Sequence, residues 1–198
     1  MRRILLICVM LFAASVAMAQ SETSNALQRV AKYVKSLGRY EVGFALSSGE
    51  FSAKGYFRVE CDIYYMNIGT AEVYSDGKVR YEVDNERKEI NIDGVDLSSR
   101  NVLDNPTRCF DFVGSDYAVK SESSSAGRTK ICLSAEDKDI EGVITLIFDE
   151  KSGRPIGLEY ELYDERVVID VVSIVSAKEQ IKRFNQSAYK GYEVVDFR

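Results

Sequence analysis

Between residues 40 and 60 apolar side chains fall at every second position: Tyr40, Val42, Phe44 and Leu46, then Phe51, Ala53, Gly55, Phe57 and Val59 beyond Ser47-Ser48-Gly49. A period of two puts each set on one face of a strand, so this stretch predicts a hairpin. The preceding segment has a different rhythm. Leu27, Val30, Ala31, Val34 and Leu37 share one helical face, Ser21 to Ser24 offer N-caps and Gly38 supplies a stop. Alternation resumes at 63–68, 71–75, 79–84 and 89–92, and Asp76-Gly77 between two of these stretches suits a turn that needs positive φ.

The pattern breaks around "LSSRNVLDNPTRCFDF", where Pro106 can begin a short helix carrying Cys109, Phe110 and Phe112. Strands are predicted again at 117–121, 128–135, 142–149, 156–163 and 166–175, with polar turns such as 123–127 and Ser152-Gly153 between them, and "YEVVDFR" closes the chain as a last strand. Short connections favour an antiparallel sheet, and the two helical segments provide cover for one face.

The first residues change the picture from fold to location. Arg2-Arg3 precedes the apolar run from Ile4 to Ala14, and Ala17-Met18-Ala19 is a small-x-small cleavage site, the layout of a secretory signal peptide. Cleavage would leave Gln20 first, and without a cysteine there the chain lacks the usual lipid-attachment residue, so a soluble exported form is expected. Residues 1–19 are thus read as a removed segment and 20–198 as one domain, with no Pro/Gly/Ser-rich linker dividing it. The formal charge of −5 becomes −7 once Arg2 and Arg3 leave, because residues 1–19 hold no acid. Such a chain is a poor partner for nucleic acid, which draws on basic surfaces.

Composition also excludes most chemistry. The chain has no histidine, so Ser-His-Asp and Cys-His systems are impossible, and it has no G-x-S-x-G elbow or phosphate-cradling glycine loop. Asp149-Glu150 sits at a turn and Glu159 and Glu161 alternate outward, the pattern of a solvated sheet face rather than of a catalytic carboxylate pair. "EINIDGVDLSSR" mimics a calcium loop but carries Arg100 where a bidentate acid is required, so Asp93-Gly94 reads as a hairpin turn. Cys61, Cys109 and Cys132 remain after export; one disulfide with one thiol, or three buried thiols, both satisfy their spacing. No metal site is expected from them.

What the chain has in quantity is large apolar residues at alternating strand positions. Phe44, Phe57, Val59, Tyr65, Tyr81, Leu146, Phe148 and Tyr160, with Leu27, Val34 and Phe110 as helix-side cover, are expected to converge on one face. Such a face is either a plain core or the wall of an apolar ligand cavity in a curved sheet.

A resemblance to a family favours the second. The order of signal peptide, amphipathic helix, "GYFRVE", Ser75-Asp76-Gly77-Lys78 leading to Tyr81, the Asn105-Pro106 step, Phe184 and "GYEVVDFR" resembles the periplasmic outer-membrane lipoprotein carriers, the LolA-like proteins, along nearly the whole mature chain. The resemblance implies a mainly β (α+β) fold: an incomplete, strongly curved antiparallel half-barrel, with an N-terminal helix and a short mid-chain helix over its concave apolar face. It implies no enzymatic activity and no cofactor. Its implied partners are acylated lipoproteins or lipid, bound through their acyl chains by a monomeric periplasmic shuttle of a Gram-negative-type bacterium, with an inner-membrane release complex and an outer-membrane acceptor. The alternative is a lipid-sensing or protein-interaction module on the same half-barrel, which would normally add a further domain or anchor. One motif departs from the family: where such carriers often have Arg-Pro after the glycine-led strand, an arginine implicated in gating cargo, this chain has Glu60-Cys61-Asp62. Arg58 lies two positions early in the opposite register, so the gating role does not transfer to it.

Overall fold

A computed structural model describes residues 25–137, 142–162 and 165–198. The expected signal peptide and the Ser21 to Ser24 caps lie outside them. Among the described residues twelve strands form one open sheet: β1 (Tyr40–Ser48), β2 (Phe51–Glu60), β3 (Ile63–Ile68), β4 (Ala71–Ser75), β5 (Val79–Asp84), β6 (Glu89–Gly94), β7 (Tyr117–Ser125), β8 (Arg128–Ala135), β9 (Val143–Asp149), β10 (Pro155–Leu162), β11 (Glu165–Ser176) and β12 (Glu193–Asp196). Their spatial order is β12-β6-β5-β4-β3-β2-β1-β11-β10-β9-β8-β7. Two antiparallel meanders, β1–β6 and β7–β11, are therefore joined side by side through β1 and β11. The predicted last strand exists but pairs parallel with β6, because the chain crosses the sheet before it returns to an edge.

The sheet bends at three irregularities. The β1–β11 register shifts at Gly43/Phe44, the β10–β9 register at Pro155/Gly157 and the β7–β8 register at Val119/Ser121. An extra residue in one strand kinks and twists it locally. Gly55 serves the curvature in another way. A Cβ there would lie 2.5 Å from the Asn67 carbonyl oxygen and 2.8 Å from the Phe44 ring, so only glycine leaves room for that ring.

Each face has its own apolar cluster. The inner one gathers Val42, Phe44, Phe57, Tyr64, Met66, Leu146, Phe148 and Leu158 with Leu27 and Val30 of α1 (residues 25–37). Helix α1 rests on the β9–β10 turn, where a Cβ on Gly153 would meet the Arg29 carbonyl oxygen at 2.5 Å. The outer cluster covers β3–β6 and joins Tyr65, Tyr74, Val83 and Ile90 to Ile181, Phe184, Tyr189 and Tyr192 of the C-terminal segment. Phe184 stacks on Tyr81 with ring centroids 4.1 Å apart.

The predicted mid-chain helix is absent. Residues 101–112 form successive turns, with Arg108 N–H bonded to the Asn105 carbonyl and Asp111 N–H to that of Arg108. Asn101 and Asn105 explain it: their side-chain oxygens accept from Leu103 N–H and from Thr107 N–H, and these local bonds compete with a helical ladder. Asp93-Gly94 is likewise no hairpin turn but the end of β6, and the predicted polar turn at 123–127 is mostly strand, since β7 runs to Ser125. Cys61, Cys109 and Cys132 are all free, with Cys61 exposed and the Cys109 thiol buried 3.3 Å from the Pro106 carbonyl oxygen.

The C-terminal strap is tied by one carboxylate. Glu72 accepts from Lys182 Nζ at 2.5 Å, Tyr65 Oη at 2.7 Å and Tyr189 Oη at 3.0 Å. Burial pushes its pKa up, but the bonds from Lys182, Tyr65 and Tyr189 outweigh that and hold it at about 2. A depressed carboxylate pKa gives stabilisation that is complete above the ordinary value near ~4.3 and lost as pH falls through the folded one. Hydrogen exchange of residues 177–198, corrected for intrinsic rates, is expected to rise selectively between pH 4.5 and pH 2. Glu72→Gln is expected to show the raised exchange already at neutral pH; equal protection in both proteins at all pH values would contradict the role given to Glu72.

Candidate functional site

The inner face is curved enough to bring distant strands onto one short segment. Tyr160 Oη on β10 donates to the Arg100 carbonyl at 3.0 Å and accepts from Val102 N–H at 3.1 Å. Tyr64 Oη on β3 donates to the Asp104 carbonyl at 3.0 Å, and Arg80 Nη2 on β5 approaches the Leu103 carbonyl at 3.4 Å. On a flat sheet β5 and β10 would stand ~29 Å apart, at ~4.8 Å per strand. Here they bond neighbouring residues of one turn-rich segment, which therefore spans the hollow of the sheet. Burial pushes the Tyr64 hydroxyl up to about 12 and the Tyr160 hydroxyl well above its ordinary range, so both remain neutral donors at physiological pH.

Two spaces open on either side of this lintel. At the β1–β2 hairpin end lies a groove of about 710 Å³, floored by Leu46, Met66, Ile68 and Val73 and walled by Leu103 and Val167. Phe51, 61% exposed, stands at its mouth, while Arg80 and Glu82 line its β5 side. At the opposite end a space of about 530 Å³ lies between the end of α1 and the β2–β3 turn, lined by Val34, Tyr40, Val59, Cys61 and Phe110, with Arg39 and Glu60 at its rim.

Of the expected residues, Phe44, Phe57, Val59, Leu146, Phe148, Leu27 and Phe110 belong to the inner cluster, and Val34 and Tyr160 pack against it. Tyr65 and Tyr81 do not: both belong to the outer cluster under the C-terminal strap. The register gives the reason. Val59 pairs with Tyr64 and Phe57 with Met66, so Tyr64 and Met66 face inward and Tyr65 outward; Tyr81 pairs with Tyr74 on that same outer side. The turn length held this information, since the two-residue Cys61-Asp62 turn sets Glu60 opposite Ile63 and all later pairs follow. Phe57 and Phe148, 1% and 0% exposed, are packed core rather than open wall. Val34, Val59 and Phe110 line the smaller space, and none of the eleven lines the larger groove, whose floor was missed because Leu46, Met66, Ile68 and Val73 look in sequence like any inward-facing strand positions.

Arg58 points away from both spaces, bonding Glu41 at 2.5 Å and Glu179 at 2.7 Å on the outer face. The acidic pairs singled out in the sequence are structural: Asp149 caps Ser152 N–H, and Glu159 bonds Arg166 at 2.6 Å. No cluster of three or more potential metal ligands occurs among the described residues, and no helix among them is long and apolar enough to cross a membrane.

Comparison with known proteins places the architecture. No family model matches the chain, and no curated protein matches it. Among solved structures it is similar to an uncharacterized conserved protein from Thermus thermophilus, with a TM-score of 0.52 and 9% identity over 88% of this chain and 99% of that one. At that identity the likeness shows a shared fold. The chain also resembles a LolA superfamily protein from Nitrosomonas europaea, with a TM-score of 0.44 and 10% identity over 84% of this chain and 96% of that one. A lipoprotein-sorting domain from Vibrio parahaemolyticus, described as putative, gives 0.44 and 7% identity over 84% of this chain and 95% of that one.

The lintel makes a testable demand on Tyr160. Tyr160→Phe leaves the Val102 N–H without its acceptor and is expected to cost about 1–3 kcal/mol in urea unfolding. Tyr64→Phe, which removes one bond to a carbonyl, is expected to cost about 0.5–1.5 kcal/mol. Equal and negligible effects would show that the segment is held by apolar packing alone.

Proposed function

We propose that the protein is a non-enzymatic carrier that binds the acyl chains of lipoproteins in the groove at the β1–β2 end and carries them through the periplasm towards the outer membrane. The observation that carries this reading is the groove itself: about 710 Å³ with an apolar floor, within the ~300–1,000 Å³ of typical small-molecule sites, and open beside an exposed phenylalanine. Burying acyl carbon contributes ~0.8 kcal/mol per methylene, so a few methylenes give useful affinity without any catalytic group. The floor residues Leu46, Met66 and Val73 are themselves part of the packed inner cluster, which gives this space a rigid support. Export through the leader at residues 1–19 would place the protein where acylated proteins must cross an aqueous compartment.

Substitutions at the groove and in the core separate binding from folding. Ile68 and Val167 are partly exposed groove residues, so Ile68→Glu and Val167→Glu are expected to weaken a fluorescent acyl probe at least tenfold and to shift the urea midpoint little. Phe148→Glu, which buries a charge in packed core, is expected to prevent folding. Undiminished probe binding in both groove variants, or no binding by the unmodified protein, would overturn the carrier reading.

A further inference from the structure

We propose that the end of the sheet carrying α1 is a docking face for an anionic phospholipid surface, held by charge alone. This goes beyond the acyl-carrier reading and does not depend on it. Three segments make up the face. Helix α1 rests on the β9–β10 turn, backbone against backbone at Arg29 and Gly153, and that turn is joined to the β7–β8 turn by Glu150 N–H donating to the Gly127 carbonyl at 2.9 Å. The ladders set its place in the molecule: Tyr40 meets Ser176 and Arg128 meets Asp149 at this end, while the β1–β2 tip and the groove lie at the other.

Residues 25–39, 125–130 and 149–154 hold eight basic residues and two acidic ones. Their sum of +6 stands in a chain whose exported form carries −7, which leaves −13 on the rest of residues 20–198. Pairing sharpens the contrast. Elsewhere Arg58, Arg80, Arg87, Arg108, Arg166 and Arg198 each have a carboxylate partner, whereas of the eight only Arg39 is in a salt bridge among the described residues, with Glu60. Lys32, Lys35, Arg128, Lys151 and Arg154 are all exposed. The nearby acids are already engaged: Asp149 accepts from the N–H and hydroxyl of Ser152, and Asp111, which shares the smaller space with Lys35, is paired with Arg108. Such a set of like charges repels itself, and an anionic partner relieves that.

The arrangement fits a membrane surface rather than a ligand of fixed shape. The charges stand on separate long side chains of a helix and two turns, with no ion pair to fix their geometry, which matches many mobile, singly charged headgroups. Helix α1 turns Ala26, Leu27 and Val30 into the inner cluster, and its exposed residues Asn25, Gln28, Lys32, Lys35 and Ser36 are all polar. It has nothing apolar to insert, so contact stays at the headgroups. Basic residues near an anionic bilayer are attracted within a Debye length, ~8–10 Å at physiological salt. The −13 on the remainder is repelled by the same surface, so the approach is oriented and turns the groove mouth away from the bilayer.

Flotation of the protein freed of residues 1–19 with phosphatidylcholine vesicles, with and without ~30 mol% phosphatidylglycerol of the same acyl chains, tests this. Binding is expected only to the anionic vesicles, and its loss is expected in ~0.5 M salt, which shortens the Debye length. Lys32→Glu/Lys35→Glu and Lys151→Glu/Arg154→Glu are each expected to weaken binding at least tenfold, and far-ultraviolet circular dichroism checks that each variant is folded. Lys88→Glu/Lys190→Glu changes two exposed lysines at the groove end, alters net charge equally and is expected to leave binding unchanged. Equal binding to both vesicle types would show acyl contact in place of headgroup contact and overturn the proposal. Equal loss in all three double variants would make net charge the cause and overturn it too. Absence of vesicle binding, with or without salt-sensitive self-association through the acidic remainder of a second copy, has the same consequence. None of these results bears on the carrier reading, which the acyl probe tests separately.

Discussion

The ladder between β1 and β11 is the constraint on which the rest of the structure depends. Nine residue pairs, from Tyr40 with Ser176 to Ser48 with Val167, join two meanders that are otherwise local in sequence. Each meander alone would be a twisted sheet of five or six strands with an uncovered apolar face. Joined, they form one surface whose inner cluster runs from β3 and β4 to β8, and the register shift at Gly43/Phe44 places a bend within the seam itself. Val172, opposite that shift, is left 71% exposed on the outer side, so the kink is taken up where no packing is lost.

Once the sheet is bent, its two faces need different cover. The outer face of β3–β6 is sealed by the chain's own end, through stacked aromatic rings and the carboxylate of Glu72. The inner face is covered by α1 over the β9–β10 side and by the 101–112 turns across the middle. Neither reaches the β1–β2 tip. The turns are held by hydroxyls and a guanidinium reaching from strands on both sides of the hollow, so the lintel stays tied to the curvature that makes the groove. The open space is what these two covers leave of a face too large for them.

Strand existence was legible because alternation is strong wherever one face is buried: β3 and β8 begin and end where the pattern does. Faces were legible only where one set was apolar and the other polar, as in β1. In β3 both sets are apolar, Tyr64 and Met66 against Ile63 and Tyr65, because both faces of this strand are covered, and alternation carries no sign there. Residues 101–112 misled for a different reason. Pro106 and the following apolar residues fit a helix start, but the side chains of Asn101 and Asn105, both ahead of it, bond the local backbone first. The groove was not legible at all, since Leu46, Met66 and Val73 on its floor are themselves buried members of the inner cluster and read in sequence as core.

Methyl-resolved NMR of the unmodified protein during titration with a spin-labelled acyl chain tests the central claim most directly. Relaxation enhancement is expected at Met66, Ile68, Val73, Leu103 and Val167, with none at Leu133 or Leu158 in the packed inner cluster. Enhancement confined to Val34 and Val59 would move the site to the space beside α1, and enhancement of Val172 and Val175 alone would place the chain on the outer face; either result contradicts the account.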